Sequence, residues 1–183
     1  MTEATREFHP PQTITPENLG DDLARLVWES FSDFVSEGEN ETDLSGLGLV
    51  DLKGEPDQRA VEEALIFVMW AHTRGAQQAF VGRAPADLLK RTLDAMHSAV
   101  FEDMVENGTP QAQLPFFEQR VGARYAEYHA GAADSETSLG EAVVQYLTGR
   151  PKSEAPLTLA ITERAVVVAG PLRDYLEDIE LIP

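Results

Sequence analysis

The chain has 183 residues and no cysteine among them. This excludes disulfides, thiolate metal sites, iron–sulfur clusters and cysteine nucleophiles together. Lysine is scarce as well, present only at Lys53, Lys90 and Lys152, so most positive charge is arginine. Fourteen bases face 32 acids, giving a formal charge of −18, and no basic cluster interrupts the acids. Phosphate backbones are gripped by clustered Lys and Arg that release counterions, so nucleic acid is not an expected partner. An acidic surface also repels anionic membranes.

Long hydrophobic runs are missing too. The longest uncharged apolar stretch lies between Glu63 and Arg74, far short of the ~20 residues of a membrane span. The first ten residues carry no basic segment followed by an apolar run, which a secretory signal needs. The expectation is therefore a cytoplasmic protein. Phosphate-cradling loops are absent: Gly46-Leu-Gly48 lacks a third glycine and a preceding strand. No Gly-x-Ser-x-Gly elbow exists, and serines such as Ser30, Ser45, Ser98 and Ser138 read as helix-face, loop or cap residues.

What remains is 43% hydrophobic and 25% charged, the composition of an ordinary globular domain. Residues 1–14 read as a flexible arm, and residues 15–183 as one domain. Thr15-Pro16-Glu17 has the order of an N-cap, a first-position proline and a first-turn acid. Leu19, Leu23, Val27, Phe31 and Phe34 then recur at steps of three and four, so a helix is predicted to about Gly38. A long loop follows over 38–56, with leucines that suggest it folds back over the core. The second helix runs from Asp57 to about Val81 and is apolar over most of its surface, as a central helix would be. Gly75 and Ala76 on it allow a neighbour to approach closely.

A third helix begins at Pro85, with Leu89, Leu93, Met96, Val100 and Met104 inward, and stops at Asn107-Gly108. A fourth carries Phe117, Val121, Tyr125 and Tyr128 and frays near Gly131. Ser138 to Glu141 matches a capping box that opens a fifth. The sixth starts near Pro156 and places Ile161, Leu172, Leu176 and Ile179 on one side, with a kink or break predicted at Gly170 before Pro171. The fold class is all-α: a single domain of five to six helices, in bundle-like or orthogonal packing.

Chemistry-bearing residues are few. His72 lies in the apolar stripe of the central helix, where a buried imidazole must find a hydrogen-bond partner. Asp94 and His97 are three apart on one helix face, a spacing used by metal ligands in helical bundles, although the second such pair is missing. Arg120 and Arg124 are four apart and suited to fork onto a carboxylate or phosphate, with Tyr125 and Tyr128 beside them. In a chain with 32 acids, internal ion pairs compete for those arginines. Glu41, Asp43 and Ser45 before Gly46 open like a calcium loop, but its twelfth position is Leu52 in place of the bidentate acid.

The expected function is a non-enzymatic helical interaction or assembly domain that pairs with a second copy or another protein, without a cofactor. An exposed apolar ridge on the last helix or the long loop would carry it. Phe116 beside Phe117 adds to this, since adjacent helical positions cannot both face one core. The alternative is a small-molecule or metal-binding helical domain, catalysis included, centred on His72, His97, Arg120 and Arg124. A third idea is an acidic surface that receives a basic partner.

Overall fold

The computed structural model describes residues 10–40, 49, 53, 55–150 and 155–183. The calcium-like opening, with most of the loop over 38–56, lies outside them. Six helices carry the fold: α1 (Pro16–Asn40), α2 (Gln58–Phe80), α3 (Ala86–Glu106), α4 (Leu114–Asp134), α5 (Glu136–Thr148) and α6 (Ala155–Glu177). The domain is all-α, as the periodicity predicts. No helix among the described residues is long and apolar enough to cross a membrane.

Local chemistry sets the helix starts. Asn18 donates its backbone N–H to the Thr15 hydroxyl, and Pro16 and Glu17 fill the first turn of α1. Asp57 caps α2 by accepting the Ala60 N–H at 2.9 Å. The start of α5 differs from the expectation. Ser135, not Ser138, is its N-cap and accepts the Ser138 N–H at 3.0 Å. The helix therefore begins three residues early, and the Ser138 hydroxyl turns back to Asp134. Only Ser135 separates α4 from α5. A Cβ at Gly131 would sit 3.2 Å from the Leu139 and Ser138 backbone, so this tight corner favours glycine. Helix α4 runs through it to Asp134 without fraying at Gly131.

Helix α2 is central: α1, α5 and α6 pack around it, while α3 lies mainly on α1 and α4 on α5. Trp70, Phe67, Phe34, Phe80 and Tyr128 are its largest buried neighbours or members, with Phe67 and Trp70 rings edge-on to Tyr128 at 6.4 and 5.7 Å. Gly75 faces α6, where a Cβ would stand 2.7 Å from the Leu172 side chain. On α3 the buried stripe is Leu88, Thr92, Met96, Val100 and Met104, one position off the predicted start. Thr92 enters the core because its hydroxyl donates to the Leu88 carbonyl and so brings no unpaired polar atom with it.

Two further expectations are corrected. No break occurs at Gly170; α6 passes through Pro171 as one helix. The proline deprives the Val167 carbonyl of its donor. Val167 lies on the exposed side of α6, where water can serve that carbonyl, while Leu172 and Leu176 remain anchored in the core. The second correction concerns the chain's ends. The arm predicted over 1–14 finishes as a strand, β1 (Gln12–Ile14), parallel to β2 (Ile179–Leu181) with Gln12 opposite Ile179. Ile179 is thus buried in a strand and not on the last helix. Arg83 clasps this end by donating to the carbonyls of Ala79, Leu176, Glu177 and Ile179.

Candidate functional site

Arg120 and Arg124 lie one turn apart on α4 and face Glu62 and Glu63, consecutive on α2. Glu63 is 3% exposed and receives Arg124 on both oxygens, from Nε at 2.9 Å and Nη2 at 3.0 Å. This is the planar fork that a guanidinium presents to a carboxylate. Arg120 pairs with Glu62 and lies 4.0 Å from Glu63. The guanidinium of Arg124 also stacks 3.5 Å from the centre of the Tyr146 ring on α5, and Tyr146 donates to Glu127. Burial disfavours the Arg124 cation, yet the hydrogen bond and charge of Glu63, with Tyr146 and Tyr128, together outweigh it and the arginine pKa is raised. These two arginines are committed to carboxylates of their own chain. Their arrangement ties α4 and α5 to α2.

The tyrosines diverge. Tyr128 is buried, its hydroxyl finds no partner among the described residues, and burial pushes its pKa well up. Tyr125 points the other way, its hydroxyl 2.8 Å from His97 Nε2. His97 Nδ1 lies 2.6 Å from the Leu93 carbonyl, so Nδ1 carries the proton and donates, leaving Nε2 to accept from Tyr125. Both imidazole nitrogens are occupied, and burial holds the pKa below its ordinary value. Asp94 stays at the surface, bonded to Lys90. Among the described residues no group of three or more His, Asp or Glu side chains is gathered closely enough to hold a metal ion.

His72 belongs to a different place. It is 2% exposed, with Nδ1 2.8 Å from the Val68 carbonyl and Nε2 3.4 Å from the Ser30 hydroxyl of α1. Burial depresses its pKa, which keeps the ring neutral. It lines a cavity of about 330 Å³ between α1, α2 and α6, with Arg25, Asp33, Arg164, Val168 and Leu172 among the other walls. The structure therefore divides the residues singled out by sequence into three groups: the α2–α4 ion web, the His97–Tyr125 pair, and His72 with its cavity.

A second groove, of about 180 Å³, runs along the opposite flank of α6. Small residues floor it, namely Ala71, Gly75, Ala165 and Ala169, beside Trp70, Arg74 and Thr162. Between the two grooves the crest of α6 exposes Leu159, Val166 and Val167, which are 59%, 58% and 55% accessible. Phe116 on α4 is likewise exposed while Phe117 is buried. Sequence reasoning missed Ser30, Arg25 and Arg164, and no local signal marks them. Ser30 is 42 positions from His72, and only tertiary packing brings the two together. Comparison with protein-family models, curated proteins and solved structures found no match to this chain.

Proposed function

We propose that the chain is an assembly domain that pairs with a second copy of itself through the outer face of α6. One observation carries this reading: knobs and a hole of matching character sit side by side on the same helix. Val166 and Val167 form a β-branched crest, and the adjoining groove is floored by glycine and alanine. A two-fold arrangement places each crest in the other copy's groove, since such an interface must be self-complementary. The groove that receives the crest is lined by Arg74 and, among the described residues, by no carboxylate, so a copy approaches here with less of the repulsion expected elsewhere on a chain of charge −18. A helix of 23 residues gives a strip about 35 Å long.

Light scattering across a range of micromolar concentrations tests the reading. The expected result is twice the chain mass for the native protein. Leu159→Glu and Val166→Glu are each expected to yield a monomer with an unchanged circular dichroism spectrum. A monomer at every concentration, or a dimer indifferent to both substitutions, would overturn the proposal.

A further inference from the structure

The groove that Ala165 and Ala169 floor has a half-buried cation in its wall. Arg74 of α2 lines it, and among the described residues no carboxylate pairs with this arginine. Its guanidinium lies 5.4 Å from the centre of the buried Trp70 ring. Such stacking uses the face of the group and leaves its in-plane N–H donors to other partners. The isolation contrasts with Arg25, Arg91, Arg120 and Arg124, each of which meets an acid of its own chain. An acid in the matching condition stands on the crest. Between Ala155 and Arg173, α6 carries a single one, Glu163. It is exposed, and among the described residues it too forms no ion pair. Leu159, Glu163, Val166 and Val167 follow at helical steps of three and four, so Glu163 shares the stripe of the crest.

We infer that Arg74 of each copy receives Glu163 of the second copy, so that the two α6 helices cross antiparallel with an identical ion pair on either side of the crest. This rests on the self-association proposed above and adds its direction and its polar contacts. The register follows from the helical repeat. In an antiparallel pairing about Val166 and Val167, residues equally far before and after that point face each other, and Glu163 comes opposite Ala169 and Gly170. Ala169 lines the same groove as Arg74. A Cβ at Gly170 would meet nothing within 4 Å, so the glutamate stem has room to pass. A parallel pairing would instead set Glu163 against Glu163, like charge on like charge. Arg173, exposed one turn beyond Gly170, is the competing base. Arg74 is favoured over it because a half-buried guanidinium gains more from an acid than a solvated one does.

Sedimentation equilibrium of the full chain tests the pair, with circular dichroism to confirm folding. Arg74→Glu and Glu163→Arg are each expected to weaken the dimer about tenfold or more, since each sets like charges together at both pairs. An equimolar mixture of the two variants is expected to dimerise again, within about threefold of the native affinity, because each copy supplies the charge that the other lacks. A contact within one chain could not be restored by mixing. Should Arg74→Glu not fold, Arg74→Gln takes its place. Glu163→Gln is then expected to weaken the native dimer about tenfold, and the Arg74→Gln dimer by less than about threefold. A dimer indifferent to Glu163→Arg, a mixture that stays monomeric, or restoration by Arg173→Glu in place of Arg74→Glu would overturn the inference. Loss of the dimer in Leu159→Glu without any effect of Glu163→Arg refutes the ion pair alone, whereas a native chain that is monomeric throughout refutes the self-association as well.

Discussion

Two arginine sites in this molecule sit in opposite circumstances. Arg120 and Arg124 are locked between α4 and α2, answered by Glu62 and a nearly inaccessible Glu63. Arg25 lines the rim of an open cavity and bonds to Asp22 three residues before it, at 3.1 Å and in contact with solvent. All three belong to a chain with more than twice as many acids as bases, so the abundance of carboxylates does not decide their fates. Burial does. A carboxylate taken out of water must be matched there, and the α2–α4 seam meets that demand with a forked arginine. Among the described residues the α1–α6 side buries no carboxylate in its cavity, and Arg25 keeps its pair at the surface.

The comparison breaks most easily at Glu63. Glu63→Ala strands Arg124 in a half-buried site and is expected to cost about 3 kcal/mol or more, as removal of one member of a buried pair does. Urea denaturation followed by circular dichroism measures this, and a loss no larger than that of a surface pair would refute the contrast.

A smaller effect separates the histidines by pH. His72 and His97 are both held below the ordinary value of 6.5, in each case chiefly by burial. As pH falls through 6.5 the unfolded chain takes up protons that the folded chain refuses. The unfolded state then binds more protons, and stability declines with acidification from that point downward. His97 faces Tyr125 across the helix contact and Asp94 on its own helix, while His72 shares its cavity with Arg25, Arg164 and Asp33. The urea midpoint is expected to drop below about pH 6.5, and His97→Gln and His72→Gln are each expected to flatten that drop. An identical slope in native protein and both variants would contradict the assignment.

The smallest expected effect is at Asp22. Asp22→Ala removes the partner of Arg25 and an acceptor for the Tyr175 hydroxyl at 3.2 Å, both in contact with solvent. Exposed pairs contribute about 1 kcal/mol or less, so the urea midpoint is expected to stay near that of the native chain. A loss approaching that of Glu63→Ala would erase the distinction between the two regions.

Much of the fold was legible in the sequence because helices are specified locally. The three-and-four spacing from Leu19 to Phe34 located α1, and Asp57 and Asn107-Gly108 marked helix ends with chemistry that acts within one turn. The misreadings share a cause. Ser138 was chosen over Ser135 because both can cap, and the choice depends on the corner that Gly131 makes with Leu139. Pro171 signalled a kink or break at Gly170, and packing of Leu172 and Leu176 keeps the helix continuous through it. Strand β1 has three residues and no periodicity to detect, and it exists because α6 returns the chain's end beside it.

Of the candidate residues, the sequence by itself determined that His72 is buried on the central helix and that Arg120 and Arg124 share one face. Both follow from the helical repeat. Only the tertiary structure decided what each one meets: Glu62 and Glu63 for the arginines, Ser30 and a cavity for His72, and Tyr125 for His97. Helical geometry fixes the direction of a side chain within a few residues. The partner that fills that direction comes from 28 to 61 positions away, and packing of whole helices, not local bonding, selects it.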